Sequence, residues 1–315
     1  MKTILICGAT GFIGRNLVNY FSQGEYSIVA IYNKKKPFVT NENVKWVKAD
    51  LTKADEIKNI IQDIDIIIQA AATTSGSKDI VSQPYIHTTD NAVMNSLLFR
   101  EAFHNDIKHI IFFSCTVMLQ SSELPQTEDD FDASLPINEK YYGVAHTKLY
   151  IEKMCQFYSS ISQTKYTAVR HSNIYGPYDK FDLEKSHVFG ASVTKVMNAK
   201  DKITVWGTGE EARDLLYVDD LISLVDLAIN KQKENYLLLN CGYGESIKIK
   251  DLIKKIVDHS GKEISIQYDK NKPTIKTSLS LNSSKAQKYL GWNRKITLDE
   301  GIKKTIKWWK ENIKY

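Results

Sequence analysis

Short, almost wholly apolar runs recur along the first half of the chain. Each is followed by a longer stretch in which apolar residues return every three or four positions. The runs "TILICGA", "SIVAIY", "VKWVKA", "IDIIIQAA", "HIIFFSC" and "KYTAVRH" have the length of strands and little polar alternation, which predicts burial on both faces. Between them, "GRNLVNYFSQ" and "NAVMNSLLFREAFHN" carry helical periodicity. This alternation predicts an α/β fold: a Rossmann-type, doubly wound parallel sheet whose ligand lies off the carboxyl ends of the strands. After about residue 171 the pattern changes. "HSNIYGPYDKFDLEKSHVFG" is long and punctuated by Gly and Pro, and shorter strands and helices follow as far as "LDEGIKKTIKWWKEN". The expected organisation is a dinucleotide-binding domain over 1–170, with part of 210–240 returning to it. A smaller interleaved α/β lobe, 171–209 and 241–315, is expected to bind substrate.

Composition narrows the function. Among 315 residues, 42 Lys and Arg face 37 Asp and Glu, a net charge of +5 that suits an anionic small molecule. The charge is scattered, with no basic stripe interleaved with aromatics, so nucleic acid is not an expected partner. No stretch approaches the ~20 apolar residues that span a membrane, and the N-terminus runs straight into a strand rather than a signal peptide. Cys7, Cys115, Cys155 and Cys241 lack paired or metal-ligand spacing. A reduced, cytoplasmic protein without a metal site is the expectation.

The chemistry begins at "GATGFIG". Gly8, Gly11 and Gly14 stand between the first strand and the first helix, where glycine permits a tight turn and lets backbone N–H groups approach a pyrophosphate. The helix N-terminus adds its partial positive charge. Thr10, Phe12 and Ile13 complete the expected cofactor loop. Which dinucleotide it holds stays open between NAD(H) and NADP(H). The second strand ends in Asn33 and three lysines, Lys34 to Lys36, rather than in an acid, and Arg15 follows the last glycine.

The glycine spacing resembles the extended short-chain dehydrogenases/reductases, the NAD-dependent epimerase/dehydratase family, and other segments agree. "KAD" resembles the family's adenine-contacting aspartate, implying Asp50 with Leu51 beside it. "QAAA" resembles the strand end that lines the ribose and phosphates, implying Ala70, Ala71 and Ala72, and Asn91 resembles the asparagine that holds the active-site backbone. In that family a strand-end Ser or Thr orients the substrate oxygen. A tyrosine passes the proton, and a lysine lowers the tyrosine's pKa and binds the nicotinamide ribose. The resemblance implies Ser114 and Thr116 in "FFSCTV" and Lys148 in "TKLYIE". The tyrosine is displaced. Its usual position is Val144, while Tyr141 lies seven residues before Lys148 and Tyr142 opens "YGVAH". Tyr142, Thr116 or water is then the proton carrier.

The remainder is similar to the GDP-fucose synthase-like branch, and this likeness covers nearly the whole chain. It implies a GDP-sugar substrate bordered by Asn173, His187 and Val188, with Lys195, Arg213 and Lys276 toward the diphosphate. His187 matches that branch's catalytic histidine. Where the family's dehydratases carry an acid pair, this chain has Cys115 and Thr116, which argues against elimination. The branch's epimerising cysteine is replaced by Thr116. Hydride transfer at C4 of a GDP-linked hexose or heptose, in either direction, is therefore expected, in bacterial surface-polysaccharide (capsule) synthesis. An epimerase, or a non-catalytic sensor of nucleotide sugars, is the alternative. The family also implies a homodimer.

Overall fold

The computed structural model describes residues 1–73, 83–183, 186–271 and 278–313. Seven parallel strands form the main sheet in the order β10-β6-β5-β4-β1-β2-β3. They are β1 (Lys2–Cys7), β2 (Tyr26–Tyr32), β3 (Val44–Lys48), β4 (Ile66–Gln69), β5 (His109–Phe113), β6 (Lys165–His171) and β10 (Tyr236–Cys241). The central strands form as their apolar runs require: β4 and β5 are buried at every position. Ile4 of β1 pairs with Ile28 on one side and Ile66 on the other, so the strand order reverses around β1. That reversal opens the crevice in which such sheets bind ligands.

Helices cover both faces. On one, α1 (Phe12–Phe21) and α6 (Val218–Lys231) enclose a core that includes Ile4, Leu17, Phe113, Val169 and Leu221, which α5 (Val188–Asn198) and α7 (Ile249–Ser260) continue into the lobe. On the other, α2 (Ala54–Ile60), α3 (Thr89–His104) and α4 (Tyr142–Ile161) cover Leu5, Ile67, Phe112 and Tyr166. The chain leaves the sheet after β6 and returns to it with β10, which pairs with β6 from Tyr236↔Tyr166 to Cys241↔His171.

The excursion builds what lies above the strand ends. A three-stranded sheet joins β7 (Asn173–Tyr175), β9 (Ala212–Tyr217) and β11 (Ser246–Lys248), and β8 (Lys202–Trp206) pairs with β12 (Ser265–Asp269). Helices α8 (Ser284–Leu290) and α9 (Leu298–Asn312) close the fold. A Thr297–Glu300 capping box starts α9 by satisfying backbone donors that a helix end leaves free. Asp214 of β9, 2% exposed, accepts from the backbone N–H groups of Tyr243, Gly244 and Leu281, tying three segments together under the lobe. Among the described residues no helix is long and apolar enough to cross a membrane, and no side-chain cluster could hold a metal ion.

Candidate active site

The glycine loop is built for close approach. Gly8 has φ +70°, and a Cβ there would lie 2.7 Å from the backbone of Ala71 at the end of β4. A Cβ on Gly14 would lie 2.1 Å from the Gly8 carbonyl, so the first turn of α1 sits directly on the loop. Gly11 is the N-cap of α1, with no side-chain cap and no acid in the first turn. Its leading N–H groups are left for an anion. Arg15, one residue past the loop, is sandwiched between the rings of Phe38 (4.3 Å) and Tyr178 (4.0 Å). These features fit a dinucleotide pyrophosphate.

Other expected cofactor residues divide. Asn91, 2% exposed, clamps the end of β4: its Oδ1 accepts from Thr73 N–H, and its Nδ2 donates to the carbonyls of Thr73 and His87. Ala70 and Ala71 are half-buried there and Ala72 is exposed. Asp50 instead turns its carboxylate onto its own loop, accepting from the N–H and hydroxyl of Thr52, and these bonds hold its pKa low. Leu51 is buried, whereas Asn33 and Lys34 to Lys36 are exposed.

At the end of β5 the structure changes the expected roles. Ser114 is 2% exposed, and its hydroxyl donates to Glu152 Oε1 at 2.6 Å, so it is not free to position a substrate oxygen. The strand stops at Phe113, although Ser114 N–H still donates to the Val169 carbonyl of β6, and a turn then closes from the Thr116 carbonyl to Leu119 N–H. Glu152 in turn receives Arg170 Nε at 3.0 Å and Nη2 at 2.8 Å. The serine belongs to a buried ionic cluster behind the site.

Thr116 instead lines a cavity of about 120 Å³ together with Tyr141, Asn173 and Arg213. The cavity lies off the carboxyl ends of the strands, where this topology places ligands. Asn173 is held by its Nδ2 donating to the Asp214 carbonyl, and Arg213 Nη1 donates to the Ala212 carbonyl. Lys148 reaches across the face of Phe112 (4.7 Å) to donate to the Phe113 carbonyl at 2.8 Å. Burial pulls its pKa down, opposed by nearby Cys115 and Glu152.

The tyrosine question resolves by local geometry. Asn138 accepts from Lys140 N–H and caps a 3₁₀ turn, Glu139–Tyr141, so that α4 starts only at Tyr142. Tyr141 thereby precedes the helix and faces the cavity. Burial raises its phenol pKa, and the Arg213 charge partly offsets this. Tyr142 points away: it is 62% exposed and packs on His146 at 4.4 Å. The proton-carrier role expected for Tyr142 is not compatible with that placement.

The substrate-side residues are spread along the lobe. His187 is the N-cap residue of α5 and Val188 its first residue. Desolvation, then the Lys180 charge, lowers the His187 pKa. Lys195 donates to the Thr204 carbonyl at 3.2 Å and lies 5.5 Å from the ring of Trp206, which is 54% exposed. Lys276 lies outside the described residues. Sequence reasoning passed over Tyr141 as a cavity residue, over Trp206 and over His171. The signal for His171 was its place two residues after Val169 at the end of a strand.

A family model described as the NAD dependent epimerase/dehydratase family matches residues 4–242. The chain is 25% identical to the GDP-L-colitose synthase of Yersinia pseudotuberculosis over 312 residues, 97% of each protein. It is also 25% identical to a GDP-L-fucose synthase of Sinorhizobium fredii, over 99% of this chain and 96% of that protein. Among solved structures, a UDP-glucose 4-epimerase of Thermotoga maritima with UDP-glucose is similar in fold. Its TM-score is 0.87 at 23% identity, covering 98% of this chain and 99% of that one.

Proposed function

Since the chain belongs to the NAD dependent epimerase/dehydratase family, we propose that it transfers a hydride between a nicotinamide dinucleotide and C4 of a GDP-linked hexose or heptose. The observation that carries this reading is the cavity at the strand ends. It brings a hydroxyl (Thr116), an amide (Asn173) and a cation (Arg213) together beyond the glycine loop. The bound dinucleotide supplies the hydride donor or acceptor. Lys148, anchored on the Phe113 carbonyl, holds the ribose, and Thr116 both accepts and donates a hydrogen bond at the substrate oxygen. Arg213 and Lys195 neutralise the diphosphate, and the exposed Trp206 offers a flat face to the purine. Without a phenolate beside Lys148, the proton passes through Thr116 to cavity water, which predicts slow turnover. Synthesis of a surface polysaccharide is the proposed setting, for which a GDP-manno-heptose 4-dehydrogenase is the specific form.

The names of the two full-length relatives, both GDP-sugar synthases, support the nucleotide. A second copy of the chain is the proposed partner, supported by Val93, Tyr150, Phe157 and Ile161, exposed apolar residues on α3 and α4. The test is to denature one portion of purified protein and identify any released dinucleotide by mass spectrometry, and to incubate a native portion with GDP-sugars and NAD or NADP. A change of two mass units in one sugar, lost in Lys148→Ala and without solvent deuterium entering the ring, is expected. Failure to release or bind any dinucleotide, with every sugar unchanged, overturns the reading.

A further inference from the structure

His171 is the last residue of β6, at the carboxyl edge of the sheet. It shares a sheet face with Val169, hence with Phe113 and with α1, the helix that opens from the glycine loop. Its ring packs edge-on against Phe113, centroids 6.1 Å apart. Lys148 comes from the other face, over Phe112, and sits on the Phe113 carbonyl. The two residues therefore bracket the end of β5 from opposite sides.

The imidazole is fixed in one form. Nδ1 lies 2.8 Å from the Ser172 carbonyl, which can only accept, so Nδ1 carries the proton. Nε2 makes no hydrogen bond among the described residues and presents its lone pair. Desolvation first, and then the charges of Lys148 and His187, lowers the pKa to about 4, so the ring is neutral at pH 7. A neutral, tautomer-locked imidazole is an acceptor, and a poor store for a proton near neutral pH.

A dinucleotide laid across the strand reversal, with its pyrophosphate on α1 and its adenosine toward β2, extends its other half over β4, β5 and β6. His171 lies three strand spacings, roughly 14 Å, from the glycine loop. The group to be recognised there is an amide N–H. We propose that His171 Nε2 accepts a hydrogen bond from the carboxamide NH₂ of the nicotinamide ring and thereby fixes which ring face meets the substrate. This rests on the functional reading above and deepens it. His171 is a cofactor-positioning residue, distinct from the proton path.

The test compares three dinucleotides by equilibrium dialysis, without turnover: NAD, its thionicotinamide analogue, which keeps the NH₂, and its 3-acetylpyridine analogue, which lacks it. The protein should bind the first two alike and the third about three- to tenfold more weakly, the factor one ordinary hydrogen bond carries. His171→Leu should bind all three alike, and His171→Gln, which restores an acceptor, should recover part of the discrimination. Equal binding of all three by the unaltered protein, or discrimination that survives in His171→Leu, would overturn the assignment alone. Binding of none, in this series or in the corresponding NADP series, would overturn the functional reading itself.

Discussion

Glu152→Gln isolates the buried ionic cluster behind the site. The carboxylate takes two charge-assisted bonds from Arg170, at 3.0 and 2.8 Å, and the Ser114 hydroxyl at 2.6 Å. Both charged side chains are only 4% exposed. The amide keeps the shape and removes the charge. The amide oxygen can still accept one Arg170 bond, but its NH₂ faces the other guanidinium donor and the compensating charge is gone, leaving otherwise Nη1 to the Glu128 carbonyl and the ring of Phe131 at 5.8 Å. Breaking a buried pair from one side costs about 3–5 kcal/mol, because the other charge stays buried without compensation. An unfolding entropy of about 2.1 cal/mol/K per residue gives roughly 0.7 kcal/mol/K for 315 residues, so Tm should fall by about 4–8 °C. Equilibrium urea unfolding followed by circular dichroism, without cofactor, reads the same loss as a lower midpoint at unchanged slope. Replacing both partners, Glu152→Leu with Arg170→Met, should recover most of the loss, since no orphan charge remains. A single variant within about 1 kcal/mol of the parent would refute the reasoning, as would a double variant no better than the single one.

Asp179, buried and with Oδ2 unpartnered, has its carboxyl pushed up to about 7. The folded state therefore holds its proton between about pH 4 and 7 while the unfolded chain has lost it. Its contribution to stability declines as pH rises through that window, and Asp179→Asn should flatten the decline in Tm-versus-pH scans. Gly14→Ala drives a Cβ into the Gly8 carbonyl, so dinucleotide binding measured by dialysis should vanish while the circular dichroism spectrum persists. Tyr141→Phe should change KM for the sugar, because the phenol faces the cavity near Arg213; Tyr142→Phe, at a 62% exposed position, should change neither KM nor kcat.

Six of the seven strands of the main sheet were legible, the central ones because burial on both faces writes them as apolar runs, whereas β10 was not read from its sequence; "GATGFIG" was legible because its chemistry is local. What failed was non-local or sub-helical. Ser114 was placed by family likeness alone, and the engagement of its hydroxyl by Glu152, itself held by Arg170, depends on two distant segments. The setting of Tyr141 was not legible because a 3₁₀ turn capped by Asn138 has no periodicity to read. His171 could not be weighed from sequence, since its setting is made by Phe113, Lys148 and His187, which come from three other parts of the chain. Lys148 was singled out through the family likeness; spacing alone does not give its reach to the Phe113 carbonyl.

The late return of β10 to the sheet has a consequence for a chain being made on a ribosome. Strand β6 has its inner neighbour, β5, from the moment it emerges, but its outer neighbour is encoded about seventy residues later. At roughly 5–20 residues per second, its outer row of backbone donors and acceptors waits about 4–14 s for a partner. During that interval a strand whose five central residues are buried in the finished fold is the open edge of a parallel sheet, the kind of surface that recruits other nascent chains. Slow codons between 172 and 235 would lengthen that wait and lower the yield of folded protein without changing a single residue.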